Sequence, residues 1–494
     1  MELLDQIDLA SVFVASGLKT SGGSIYANGQ RLVHLALTSE DSAYGFPLMI
    51  PQNKTERLLT EHLTGQGLKV ERQVELVSFD ARPDSILCKL RHADGREEVC
   101  ETPWLIGCDG AHSTVRHTLG MPFTGQAEPN DWMLADIHIE GTLAGDEVSV
   151  FWHEKGVLVF FPIDRQRFRV IADIGMASDH GPPADPTLAE VQATVDQRGP
   201  GGLKLSDPVW LSNFRINERK VRDYRQGRAL LAGDAAHIHS PAGGQGMNTG
   251  MQDAFNLAWK IALVQRGEGQ EKPLLDSYSL ERSEVGDQVL RDAKMFTTVA
   301  TLRNSTALWL RDHLAPILGS FQFARDKIRD EWFEFSINYR HSPLSAEKWP
   351  TLTGGLAAGD RLCDAPVTSA ADGKPTTLFA ALRGTRHTLL LLPGVGDAAA
   401  IGEMLKIADE ASRAFPNVLA VHVVLKSESA AAAKNVASGV PVWIDIRGRV
   451  HEKLHAGGRS LFVVRPDGYI GYRCQPADEK ALLDYLGRFL VRKN

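Results

Sequence analysis

A chain of 494 residues with 43% apolar and 23% charged side chains has the composition of a soluble globular protein and the length for two to four domains. Its 54 Lys+Arg against 61 Asp+Glu leave a net charge of −7, which offers nucleic acid or an anionic membrane nothing to hold. Five scattered cysteines without a CxxC pair exclude a structural zinc or dithiol centre, and no apolar run approaches the ~20 residues of a membrane span.

The chain opens with helical spacing of Leu3, Leu4, Ile7 and Val12 that stops near Gly17. No capping residue or lead-in precedes it, so it reads as a helix entered from its interior. Short alternating runs between 22 and 50, such as Arg31-Leu-Val-His-Leu-Ala-Leu37, predict strands. Pro51 and Gln52 then head a helix whose Leu58, Leu59 and Leu63 share a face. Strands are expected at about 68–80, 85–92 and 97–107, the last two joined by the Asp94-Gly95 turn. The third runs into Gly107-Cys-Asp109-Gly110-Ala-His-Ser113-Thr-Val-Arg116: a buried strand, a sharp turn and a helix carrying Ser113 and Arg116. Cys108 reads there as a small buried residue at a strand end rather than as a reactive thiol.

From 121 to 227 the pattern is mostly β, with strands expected at 132–139, 148–153, 157–163 and 168–174 and one helix near 187–198. Phe151, Trp152, Phe160 and Phe161 suit an aromatic pocket and suit core packing equally, because alternation sends half of them inward. The apolar run 229–232 predicts a buried strand ending at Gly233-Asp234. A loop with Pro241, Gly243, Gly244 and Gly246 follows, then helical spacing through Met251, Ala254, Phe255, Ala258 and Ile261. Strand, carboxylate, glycine loop and helix start, in that order, suit a large ligand laid across a backbone. Gly233 permits close approach, Asp234 accepts from hydroxyls, and the free N–H groups of the helix start face electron-rich atoms. The plainer alternative is a strand–loop–helix unit whose glycines only make turns. His237 and His239, at i, i+2 without a carboxylate partner, read as structural rather than metal-ligating.

Helices continue to about 335 and include Leu275-x-x-Tyr278-x-x-Glu281-Arg282. A Gly/Pro-rich passage, 341–360, reads as a domain linker. Alternating elements close the chain: a strand at 388–392, a helix at 398–414, a strand at 418–425, a hairpin over 461–472 turned at Pro466-Asp467-Gly468, and a helix at 479–490.

The Asp109-Gly110 motif and Gly233-Asp234 with its Pro/Gly loop, in this order and at this separation, resemble the group A flavoprotein monooxygenases, the aromatic hydroxylases of the p-hydroxybenzoate and phenol hydroxylase type. Pro51-Gln52 ahead of Glu56-Arg57-Leu58-Leu59, and the stretch from Leu275 to Arg282, add to a match that covers roughly 1–340. The C-terminal part is similar to the thioredoxin-like domain appended to one branch of that family. The resemblance implies an α/β fold with a Rossmann-like FAD-binding domain in two parts. Residues 1–120 form the first part, with strands contributing to the substrate site; 228–340 form the second, with the helical region. A mostly β substrate domain at 121–227 is inserted between them, and a thioredoxin-like domain occupies 355–494.

The same resemblance implies that Asp234, beside Gly233, takes the ribityl or ribose hydroxyls of FAD. Asp109, Gly110 and Arg116 would lie along the pyrophosphate and the approach of NAD(P)H, and Gln52, with Arg57, would touch the FAD backbone. Pro241, Gly244 and Gly246, with the helix start at Met247-Asn248, would pack against the isoalloxazine, where a helix N-terminus stabilises the negative charge of the reduced ring. The implied activity is hydroxylation of a phenolic or polyketide-like aromatic with NAD(P)H and O2, through a hydroperoxide at flavin C4a. The rivals are a flavin oxidoreductase or epoxidase of the same fold acting on a non-aromatic substrate, and a truncated, flavin-free binding protein or inactive fragment. The group that activates the phenol stays open among Tyr44, His34 and His153. Lacking a dithiol, the C-terminal domain is expected to serve structure or dimerisation, which leaves a homodimer open; cysteine usage and the absence of a signal sequence suit the cytoplasm. One part of the family pattern is missing, the opening strand with its G-x-G-x-x-G turn. The expectation is therefore that a first βαβ unit of roughly 30 residues precedes Met1.

Overall fold

The computed structural model describes residues 1–178, 181, 183–240, 244–302, 328–350, 354–394, 398–436 and 439–493. Pro241, expected beside the flavin ring, and Gly243 of the same loop lie outside the described residues.

Two long strands, Thr124–Glu140 and Lys204–Lys220, form the spine of a sheet whose described strands run in the order 237–238, 204–220, 124–140, 167–176, 156–162, 147–153, 22–27, 30–36. The pairing of Glu147–His153 with Gly22–Ala27 is parallel and the others are antiparallel. The opening part of the chain thus completes the middle region's sheet. Alternation places Phe168, Val170 and Ala172 on one face with Met133, Ala135, Ile137, Leu158 and Phe160. The helix Leu188–Arg198, started by a reciprocal Thr187/Glu190 capping box, seals that face with Val191 and Val195.

Leu105–Gly107 (β1) runs parallel to Ala229–Leu231 (β2), in register Leu105 to Ala229 and Ile106 to Leu230. The strand expected over 97–107 is therefore two strands. Glu97–Thr102 belongs to a separate antiparallel sheet with Val74–Ala81 and Ile86–His92. Pro103 sits at the break, where it has no N–H to give to a ladder. Cys108 is exposed, not buried, because the chain leaves the sheet directly after β1.

Three helices position the site: Gln52–Gly65 (α1), Gly246–Gln265 (α2) and Glu271–Ala300 (α3). The C-terminal part is a sheet with described order 346–348, 470–474, 460–464, 387–392, 419–426, 442–445, 366–369, 375–377. Its central strand 387–392 has Leu389 to Leu392 fully buried, as suits a strand covered on both faces. The passage 341–360 is not a free linker: Ala346–Lys348 pairs in parallel with Ile470–Cys474 as an edge strand. Trp259 and Leu263 of α2 and Leu274 of α3 pack into the same apolar cluster as Leu389, Leu461 and Phe489. Among the described residues no helix is long and apolar enough to cross a membrane.

Candidate active site

β2 is fully buried and delivers the chain to Gly233, whose φ of 60° a residue without Cβ adopts at little cost. Asp234 follows on the exposed side of this turn, and its carboxylate has no hydrogen-bond partner among the described residues. The turn is fixed from behind. Asp253 of α2 accepts from the Gly233 N–H (2.9 Å) and from His237 Nε2 (2.8 Å) on one oxygen, and from Arg282 Nε (2.6 Å) on the other. Burial pushes the Asp253 carboxyl up, but Arg282 and His237 outweigh it and hold the carboxyl below its ordinary range. A Cβ on Gly250 would meet the Gly233 Cα at 3.3 Å, so the turn and the first turn of α2 touch backbone to backbone.

The second turn is built by local capping. Ser113 accepts from the Arg116 N–H (2.9 Å) and Asp109 from the Val115 N–H (3.1 Å), while Gly110 takes a φ of 78°. Arg116 is 3% exposed. It donates to the carbonyls of Ala235 (3.0 Å) and Ala111 (2.7 Å) and lies 4.0 Å from the centre of the Phe123 ring. Its guanidinium thereby ties the two turns together, which the sequence motif does not reveal. Gln52 is exposed at the head of α1, bonded to Glu56 (2.9 Å). Arg57 is exposed as well and pairs with Glu61 at 3.7 Å.

A cavity of about 540 Å³ opens along the start of α2. Met247, Asn248 and Met251 line it from the helix, Gly244 from the loop ahead of the helix, Phe46 to Gln52 from the segment into α1, and Phe161, Arg169 and Ile171 from the large sheet. Phe333, Phe335, Arg361, Phe379 and the hairpin 464–469 close the far side. α2 starts behind Gln245 without a side-chain cap, so among the described residues no side chain at the N-cap takes its first N–H groups from a ligand. His239 donates from Nδ1 to the Ser240 carbonyl (2.8 Å), and burial lowers its pKa, so Nε2 is left as an acceptor; it is buried and has no partner among the described residues. An exposed carboxylate and a buried acceptor without hydrogen-bond partners among the described residues, a helix start without a side-chain cap and glycines at the points of approach together fit a polyhydroxyl chain joined to a heteroaromatic ring, as FAD presents.

Of the three groups left open for activating a phenol, only Tyr44 lines the cavity. Its hydroxyl donates to Asp5 Oδ1 (2.6 Å), and burial and then Asp5 raise its pKa. His34 lies on the edge strand, 3.1 Å from Ser24 and 3.3 Å from Glu147, and His153 Nδ1 accepts from the Lys155 N–H (3.1 Å). Phe161 lines the cavity, Phe151 and Phe160 belong to the core under the helix Leu188–Arg198, and Trp152 packs in a second cluster with Trp132 and Val157. Sequence reasoning missed the buried polar face of α2. Thr249, Asp253, Asn256 and Lys260 recur at i, i+4, i+7 and i+11 and are all buried, a spacing that marks one helix face and was available in the sequence.

The FAD binding domain family model matches residues 1–293. The chain is 39% identical over 312 residues to the 6-methylpretetramide 4-monooxygenase of Streptomyces rimosus, covering 62% of this chain and 55% of that protein. It is 30% identical to the pentachlorophenol 4-monooxygenase of Sphingobium chlorophenolicum, over 100% of this chain and 88% of that protein. Among solved structures, the anhydrotetracycline hydroxylase from Streptomyces rimosus superposes with a TM-score of 0.75 at 27% identity, covering 98% of this chain and 88% of that one.

Proposed function

The chain belongs to the FAD-dependent aromatic hydroxylase family, and from that membership we propose that it uses NAD(P)H and O2 to hydroxylate a phenolic or polyketide-like aromatic. The net reaction consumes the ring C–H, O2, NAD(P)H and a proton and yields the phenol, water and NAD(P)+. The observation that carries this reading is the exposed Asp234, without a hydrogen-bond partner among the described residues, at the end of a buried strand and beside a helix start without a side-chain cap that opens onto an aromatic-lined cavity.

Bound FAD supplies the redox and oxygen-transfer chemistry, which belongs to the cofactor rather than to the protein. This chain's residues hold and orient. Asp234 accepts from the ribityl or ribose hydroxyls, and Gly233 lets them come close. The first N–H groups of α2, near Gly246 to Asn248, face the electron-rich edge of the ring, with Gly244 leaving room. Asp109 and Gly110 form the second turn on the cofactor path, and Arg116 locks it to Ala235. Gln52 reaches the cofactor from the head of α1. The apolar wall of Phe46, Phe161 and Phe333 excludes water and stacks the substrate ring, and Tyr44 stands ready to meet a ring hydroxyl. The C-terminal sheet, which we read as thioredoxin-like in shape without a dithiol, closes the cavity.

The test is the visible spectrum of the purified chain with added FAD, followed by NADH and NADPH oxidation with and without phenols. Flavin absorbance that stays with the protein, and oxidation stimulated by a phenol, are expected. A folded chain that remains colourless overturns the assignment for these 494 residues. Flavin binding with oxidation indifferent to phenols instead supports a non-aromatic substrate.

A further inference from the structure

Consecutive residues of α3, Glu281 and Arg282, stand in two different hydrogen-bond networks, both almost sealed from solvent. Glu281 accepts from Asn256 (2.7 Å) and Lys260 (2.7 Å) of α2, from Ser342 (2.5 Å), and from both terminal nitrogens of Arg465 (2.7 and 2.9 Å) in the C-terminal hairpin. Arg465 also grips Asp467 (2.6 Å), whose carboxylate accepts from Trp259 Nε1 (3.0 Å). Arg282 donates to Asp253 (2.6 Å), to the Tyr339 hydroxyl (2.9 Å) and to the Thr249 carbonyl (3.1 Å) at the start of α2. Asp253 in turn holds the Gly233 N–H (2.9 Å), one residue before Asp234.

We propose that Glu281 and Arg282 are positioning residues that couple the docking of the C-terminal domain, through Arg465, to the geometry of the Gly233-Asp234 turn and the α2 start, and so to flavin binding. This rests on the assignment of that turn to FAD made above. Continuity is the first argument. Hairpin, α3, α2 and the turn are linked by charged groups at short distance, with Arg465 and Glu281 each 1% and Arg282 and Asp253 each 0% exposed at the side chain. Chemistry is the second. A buried ion network adds little net stability over apolar packing of the same volume, whereas bidentate guanidinium–carboxylate bonds fix orientation tightly. Location is the third: Asn256, Arg465, Asp467 and Tyr339 form part of the cavity wall itself. A second contact of the C-terminal domain serves for comparison: Arg383 pairs with Asp5 (2.9 Å) of the opening helix, the acceptor of the Tyr44 hydroxyl, and among the described residues has no bond to either turn.

The experiment measures FAD dissociation and the shape of the bound flavin's visible bands, alongside the thermal midpoint of the cofactor-free chain, for wild type, Arg465→Lys, the charge-balanced double variant Glu281→Gln/Arg465→Met, and Arg383→Met. Arg465→Lys keeps the charge and loses the two-point grip, so it serves if the double variant does not fold. The expected result is FAD binding about tenfold weaker, within the usual range of inter-site coupling, with altered bands, in the Arg465 variants. Arg383→Met should shift the thermal midpoint and leave FAD binding and bands as in wild type. Arg465 variants that lower the midpoint but bind FAD with wild-type affinity and bands overturn the proposal. If wild type itself binds no FAD, the assignment of the turn fails first and the coupling falls with it.

Discussion

Asp234 and Asp253 show how two carboxylates 19 positions apart in sequence divide the work of one turn. Asp253 is enclosed and matched bond for bond by Arg282, His237 and the Gly233 N–H, whereas Asp234 is exposed and unpartnered among the described residues. Asp234→Ala should therefore leave the stability of the cofactor-free chain, read from its melting curve, unchanged within about 0.5 kcal/mol. It should weaken FAD binding about 10- to 100-fold, the scale of a hydrogen bond to a charged group; titration of flavin fluorescence reads both limits. A different carboxyl carries a pH signature. Burial, and then the neighbouring Glu128, push Glu218 up to about 7 against the opposing charge of Lys294. A carboxyl whose folded pKa lies above its unfolded value of 4.5 binds more protons when folded, so stability falls as pH rises from about 4.5 to 7. Glu218→Gln should flatten that slope and raise the melting temperature above pH 7, and melting curves across pH 5 to 8 check it. An unchanged slope would mean that another group is responsible.

At the scale of elements, the site is a contact between a turn and a helix start. Gly250 has Gly233 as its nearest neighbour, with 3.3 Å for an added Cβ, and the Gly233 N–H is tethered to Asp253 one helical turn further on. Side chains at 250 should push the turn away from α2 in order of size. FAD dissociation constants should rise from Gly to Ala to Val, with the Val variant also losing about 1–3 kcal/mol of stability from overpacking. Equal affinities across the series would show that the turn moves freely. The strand–loop–helix order of this unit was legible in the sequence, because a buried apolar run, glycines and 3.6-residue spacing are local signals. The division of 97–107 into strands of two sheets was not. Both halves read as strand, and only their partners, Ile86–His92 for one and Ala229–Leu231 for the other, separate them.

For the whole molecule, the C-terminal sheet is a structural part of the cofactor-binding half. Trp259, Leu263 and Leu274 contribute to its core, the Gln270 N–H bonds the Phe489 carbonyl (2.8 Å), and Arg465 reaches Glu281. A chain ended at 340 would expose those three apolar side chains and leave Glu281 without its guanidinium partner. It should lack a cooperative unfolding transition by calorimetry, and a sharp transition would show that the halves fold separately. The passage 341–360 illustrates the same point. Gly and Pro content reads as a linker, yet Ala346–Lys348 is an edge strand because Ile470–Cys474 offers it a ladder.

By itself the sequence determined the family, the α/β succession of elements and the two turns that carry Asp109-Gly110 and Gly233-Asp234, since these rest on residue types and short spacings. Tertiary structure alone decided that Arg116 locks one turn to the other, that Tyr44 and not His34 or His153 reaches the cavity, and that Glu281, Arg282 and Arg465 face inward as partners. The physical reason is that a charge tolerates burial only beside its complement, and the complements of Glu281, Lys260 and Arg465, stand 21 and 184 residues away in the chain.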